Sequence, residues 1–295
     1  MLSLIRWLSR RGLPTLHALG TVLGWLAWVA SPTYRRHLQV QLGQAGFGAP
    51  VRRQAVAEAG RMAAELPWLW LRPVSRPLGA AVQWQGESLI TGALDAGRGL
   101  VLLTPHLGCF EVCAQAFAER FGAQMPLTVM YRPARQPWLR SLEETARARP
   151  GMATVPAALA GVRQMIRALR KSEAVGLLPD QVPPDGMGVW APFYGRPAYT
   201  MTLAARLVQQ TGAGLLLIWA ERLAAGRGWV VHVSPAPPLP ASAADDDALQ
   251  VACATTVNQA MEALIARCPG QYLWGYDRYK QPRRTHRATG EETPA

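Results

Sequence analysis

From Val82 to Cys268 the chain alternates short apolar runs with longer stretches of helical period, and that alternation admits few architectures. The runs VQWQG (82–86), GLVLLTP (99–105), PLTVMYRP (126–133), MATVP (152–156), AVGLLPD (174–180), AGLLLIWAERL (213–223) and GWVVHVSP (228–235) read as strands. They are rich in branched and aromatic residues and are bounded by Gly, Pro or Asp. Helices are expected over Ser88–Ala96, Gly108–Phe121, Gln136–Arg149, Ala158–Lys171, Met201–Thr211 and Asp246–Cys268, with a Pro/Gly-rich loop before Met201. Strands joined through helices return to the same end of a sheet and pair in parallel. The expected fold is therefore α/β, with a mainly parallel central sheet flanked by helices. Sites in such folds gather at the carboxyl ends of the strands, where His106, Tyr131, Arg132, Asp180 and Gln181 all fall.

Within that pattern, LVLLTPHLGCFEV (100–112) delivers His106 to a turn and sets Glu111 five residues later, at the start of a helix. A neutral imidazole can take a proton from a hydroxyl near pH 7, and a carboxylate on its second nitrogen fixes the tautomer and steadies the imidazolium. The spacing makes Glu111 the expected carboxylate. His286 and Glu291 repeat the spacing in the polar tail RRTHRATGEETPA, where no apolar run supports a site. A satisfied core histidine is the structural alternative for His106.

Arg and Lys number 31 against 19 acids, for a net charge of +12, which favours polyanionic partners. No RNP-like aromatic signature, helix-turn-helix pattern or Cys/His finger spacing points to nucleic acid. Cys109, Cys113, Cys253 and Cys268 form no C-x-x-C pair and read as reduced structural thiols, and no metal site is expected. Near the N-terminus, Leu13–Ala30 carries no charged residue apart from His17 and is flanked by Arg6, Arg10, Arg11, Arg35 and Arg36. It is expected to anchor the chain at a membrane, through an interfacial or re-entrant contact rather than a clean span, with a buried core helix as the alternative. Val51–Leu71 follows as an amphipathic helix. The expected division is an anchor over 1–36, an α/β domain over 37–282 and a disordered tail over 283–295.

Other segments carry chemistry. Tyr131-Arg132-Pro133 sets a guanidinium where the chain leaves the sheet, suited to an oxyanion or phosphate. Asp180-Gln181 and the loop Trp190–Ala198, with Phe193-Tyr194-Gly195-Arg196, are candidates to line a pocket, and QYLWGYDRYK (271–280) crowds aromatics with cations. In this order the segments resemble the bacterial lipid A biosynthesis acyltransferases, the lauroyl/myristoyl family, over nearly the whole chain. That family's His-x4-Asp/Glu pair falls on His106 and Glu111. Its strand-end Arg falls on Arg132, and its DQ and F-x-G-R-P-A segments fall on Asp180, Gln181 and Phe193–Ala198. Cys109 and Phe110 stand where many relatives carry Asn and Trp, and Tyr194 where Phe is frequent.

The resemblance implies a glycerolipid-acyltransferase-like fold at the inner membrane, its catalytic domain facing the cytoplasm. It implies transfer of a fatty acyl chain from acyl carrier protein to a hydroxyl of a phosphorylated glycolipid, a lipid A precursor of the Kdo–lipid IVA type, in lipopolysaccharide biosynthesis. His106, Glu111 and Arg132 would be catalytic, and Tyr131, Asp180, Gln181, Tyr194 and Arg196 would bind substrate. No cofactor beyond the carrier's phosphopantetheine arm is implied. The rival expectations are acylation of a lysophospholipid or glycolipid, a non-catalytic scaffold that binds lipid or carrier protein, and a thiol enzyme using Cys109.

Overall fold

All seven expected strands enter one sheet. The computed structural model describes residues 2–131 and 136–283. The strands are β1 (Val82–Gln85), β2 (Leu100–Leu103), β3 (Leu127–Tyr131), β4 (Met152–Pro156), β5 (Ala174–Leu177), β8 (Gly214–Arg222) and β9 (Trp229–Pro235), in the order β1-β9-β8-β2-β5-β3-β4. From β8 to β4 the neighbours are parallel, while β9 runs antiparallel to β8 and takes β1 with it. Leu100–Leu103 is buried throughout, as a central strand covered on both faces requires.

Helices cover both faces. On one, α6 (Phe110–Phe121) buries Val112, Cys113, Ala116 and Phe117 against Leu100, Leu102 and Ile218. On the other, α8 (Leu159–Arg170), α9 (Leu203–Thr211) and α10 (Asp246–Arg267) close over Val101, Leu103, Val175 and Leu177. The remaining helices are α1 (Leu2–Ser9), α2 (Leu13–Ala30), α3 (Pro32–Gln44), α4 (Ala49–Trp70), α5 (Ser88–Asp95) and α7 (Pro137–Arg147).

The loop expected before Met201 is a correction. Residues Gly188–Phe193 (β6) and Arg196–Met201 (β7) form an antiparallel hairpin, and α9 begins only at Leu203. Tyr194 and Gly195 both have positive φ, the requirement of a two-residue turn whose twist matches the strands it joins. Pro192 and Pro197 obscure the strand pattern. They are tolerated because this ribbon has only two strands, so an imide nitrogen can face away from the ladder.

Helix α2 has the bounds of the uncharged N-terminal segment, and it is long and apolar enough to cross a membrane. One face packs on α4, burying Leu13, Leu16, His17, Gly20 and Gly24. The other leaves Leu19, Val22, Leu23, Leu26 and Val29 exposed, the last by 71%. Backbone approach at the crossing explains the glycines: a Cβ on Gly60 would lie 2.0 Å from the Gly20 carbonyl oxygen. Gly60→Ala is expected to push the two helices apart and cost about 1–3 kcal/mol, the range of overpacking changes. Urea unfolding of the two proteins checks this, and an unchanged midpoint would show that the crossing relaxes freely.

Candidate active site

Strand order brings the site together. β2 and β5 are neighbours with Leu103 opposite Leu177, and three residues beyond each stand His106 and Asp180. The His106 Nδ1 lies 2.7 Å from Asp180 Oδ1, and the His106 backbone N–H donates to Asp180 Oδ2 at 2.8 Å. Two bonds fix one carboxylate against one histidine, so the ring cannot turn without breaking the pair. Nδ1 carries the proton if it donates to this carboxylate, which leaves the Nε2 lone pair free. The Gln181 amide nitrogen, on an exposed residue, sits 3.0 Å from Nε2 and marks the place where a hydroxyl donor could stand.

Asp180 is ionised. Burial pushes its carboxyl up, but the His106 charge, the two His106 hydrogen bonds and the more distant Arg278 outweigh burial and hold it below the usual range. The His106 side chain is 17% exposed, which leaves a small window at the rim for a substrate. Phe110 lies edge-on to the imidazole at 4.7 Å.

The turn carrying His106 is sutured at every residue. Leu107 N–H donates to the Pro105 carbonyl, Gly108 N–H to Gln271 and Cys109 N–H to Ala220, while Leu273 N–H donates to the His106 carbonyl. Gly108 has φ +62°, and a Cβ there would lie 1.9 Å from the Ala220 carbonyl oxygen, so no side chain fits. The segment 271–280, which in sequence suggested an interface, contributes this backing. Tyr272 pairs with Leu107, and its buried phenol, raised by burial and by the charge of Asp180, faces that carboxylate. The Tyr276 hydroxyl accepts from Val182 N–H and so holds the Asp180–Gln181 turn. The crowding of aromatics and cations is also real, with Lys280 over Tyr276 and Arg196 over Tyr279.

Glu111 is not the carboxylate on the His106 ring. It occupies the first turn of α6 and pairs with Arg147 Nη2 at 2.8 Å, and Arg147 also stacks over Tyr131 at 5.4 Å. The physical reason is the strand order, which sets Asp180 against Nδ1 and leaves Glu111 to a cation from α7. Tyr131 thus stands at the same rim as Glu111, whereas Arg132 lies outside the described residues.

Tyr194 and Arg196 belong to the tip of the β6–β7 hairpin. The Tyr194 ring meets Phe47, Phe193 and Trp274, and its hydroxyl is buried without a hydrogen-bond partner among the described residues. Burial, with the Glu262 and Tyr279 charges, raises that phenol well above its ordinary value. Their described contacts are with one another's neighbours and not with His106. Cys109, the alternative nucleophile, is fully buried, and burial and the Glu65 charge hold its thiol far above neutral pH. It stays protonated and turned into the core.

Sequence reasoning missed Arg222, at the end of β8. Its guanidinium makes a two-point pair with Glu65 at 2.7 and 2.8 Å, reaches Glu58 at 2.8 Å and approaches the Gly108 carbonyl at 3.4 Å. His17 on α2 also reaches Glu65, at 2.6 Å. An Arg at the end of an apolar strand was the available signal, but its partners on α4 are more than 150 residues away in sequence.

A family model for bacterial lipid A biosynthesis acyltransferases matches residues 2–281. The lipid A biosynthesis lauroyltransferase of Escherichia coli K12 is 26% identical over 279 residues, covering 90% of this chain and 86% of that protein. The palmitoleoyltransferase of the same organism and a lipid A biosynthesis acyltransferase of Shigella flexneri are each 25% identical over 279 residues, covering 90% of this chain and 85% of theirs.

Proposed function

The chain belongs to the bacterial lipid A biosynthesis acyltransferase family, and from that premise we propose that it moves a fatty acyl chain from acyl carrier protein to a hydroxyl of a Kdo–lipid IVA type precursor. The observation that carries this reading is the 2.7 Å pair between His106 Nδ1 and Asp180, which leaves Nε2 facing the exposed Gln181 amide at the rim. His106 Nε2 takes the proton of the acceptor hydroxyl as the oxygen bonds to the thioester carbonyl carbon. Asp180 holds the ring and steadies its positive charge. The tetrahedral intermediate then collapses with cleavage of the C–S bond, and the proton on Nε2 passes to the departing phosphopantetheine sulfur. No bond to the enzyme forms, and the proton count closes.

Arg132, which follows Tyr131 at the carboxyl end of β3, is assigned to the oxyanion or the donor carbonyl. Glu111 serves the same rim by anchoring Arg147 beside Tyr131. Gln181, which must swing aside for the hydroxyl, and Tyr194 and Arg196 at the hairpin tip complete the substrate contacts. The exposed apolar face of α2, with its Arg flanks, supports residence at the cytoplasmic face of the inner membrane, where a lipid acceptor is met.

The test is a product mass. Membranes bearing the protein, given a mixed-length acyl carrier protein pool and a Kdo-bearing tetraacyl precursor, should add one acyl mass, which also reads the chain length. No addition here, with addition to a lysophospholipid or a simpler glycolipid, would overturn the acceptor assignment.

A further inference from the structure

Helix α8 buries Gly161, Met165, Ala168 and Leu169 against the sheet and turns Arg163, Arg167 and Arg170 outward at i, i+4 and i+7, with Lys171 at its end. Like charges at this spacing repel, and a helix usually relieves them with acids one turn away. Here α8 contains no acid, and these four side chains make no ion pair or hydrogen bond among the described residues. The three arginines, with Ala160, Gln164 and Ile166, line a shallow open groove along this one helix. Cations left without internal partners attract an anionic one.

Its position selects the partner. α8 rests on β3, β4, β5 and α9 and packs into the core on one face of the sheet. The groove also begins at the catalytic rim: α8 follows β4 directly, and Ala157 N–H donates to the Tyr131 carbonyl. In the order β2-β5-β3-β4 that end is three strand spacings from the strand of His106, about 14 Å. A long flexible thioester arm spans such a gap while its protein stays outside.

We infer that the Arg163–Arg167–Arg170 groove docks an acidic helical face of the carrier protein that presents the acyl thioester, an inference that rests on the carrier-dependent reaction proposed above. Steering by exposed charges governs encounter more than chemistry. The triple variant R163E/R167E/R170E is therefore expected to raise KM for acyl carrier protein about tenfold or more at low salt, with kcat retained. Transfer from acyl-pantetheine, which has no protein to dock, should match the wild type. Direct binding of the unacylated carrier, read by fluorescence anisotropy, should weaken with salt in the wild type and vanish in the variant. An unchanged KM and unchanged carrier binding in an active, folded variant would overturn the docking site. So would loss of sedimentation with anionic vesicles while carrier binding persists, which would assign the groove to lipid. A wild-type protein inactive with every acyl carrier protein would instead remove the reading beneath it.

Discussion

Asp180→Asn is expected to lower acyl transfer by about 10²–10⁴-fold, as far as His106→Ala does, because general-base catalysis of this kind contributes a factor of that size. An Asn amide can donate to Nδ1 as well as accept from it, so the ring is free to carry its proton on Nε2, where it is no base. The loss should appear in kcat, with KM for both substrates nearly kept, since the 1% exposed Asp180 side chain meets the histidine and not the substrate. Glu111→Gln should behave differently, releasing Arg147 from the rim and raising KM for the donor. Steady-state kinetics of the three variants decide the matter. Wild-type turnover in Asp180→Asn with none in Glu111→Gln would return the orienting role to Glu111.

The contest between Asp180 and Glu111 shows what could be read in one dimension. The turn at His106 and the polar ends of the strands were legible, because a buried strand announces itself by an unbroken apolar run and must stop before a polar site. Asp180 was named for the rim but not for the ring. Its place follows from β5 lying beside β2, and strand order is a property of the whole sheet that no local run encodes. The β6–β7 hairpin was missed because Pro192 and Pro197 hid its alternation. In α2, Gly20 and Gly24 interrupt the apolar run, and they are the points where α4 crosses. Family resemblance supplied the activity and left the geometry to be seen.

Arg222→Met is expected to destabilise the protein by about 3–5 kcal/mol at pH 7, the cost of removing one partner from a buried ion pair. Glu58 and Glu65 would remain buried, with Arg61 and His17 as the cations left to them among the described residues. Burial pushes the Glu65 carboxyl up, but Arg222 and His17 together hold it below the usual range. A depressed carboxyl contributes stability that is complete above its unfolded value of about 4.3 and is lost as pH falls through the folded one. Without Arg222 burial prevails, Glu65 takes up its proton at higher pH, and the handicap of the variant should shrink toward pH 4. Urea unfolding at pH 7 and pH 4 measures both quantities. A gap that stays constant with pH would show that lost packing and not the stranded carboxylates sets the penalty. Because Arg222 also approaches the Gly108 carbonyl, the surviving folded fraction should turn over more slowly than its concentration allows.

The backing of the His106 turn by residues 271–273 has a consequence in time. Synthesis runs from the amino to the carboxyl end, and every strand of the sheet is complete by Pro235. The Gly108 N–H and the His106 carbonyl gain their backbone partners only when Gln271 and Leu273 emerge, and Gln41 on α3 waits as long for the Trp274 carbonyl. A nascent chain can thus build its sheet and seat α2 on α4 with its chemistry still unassembled. Residues 271–274 work as a latch, closed from behind on a sheet whose strands all precede them in the chain.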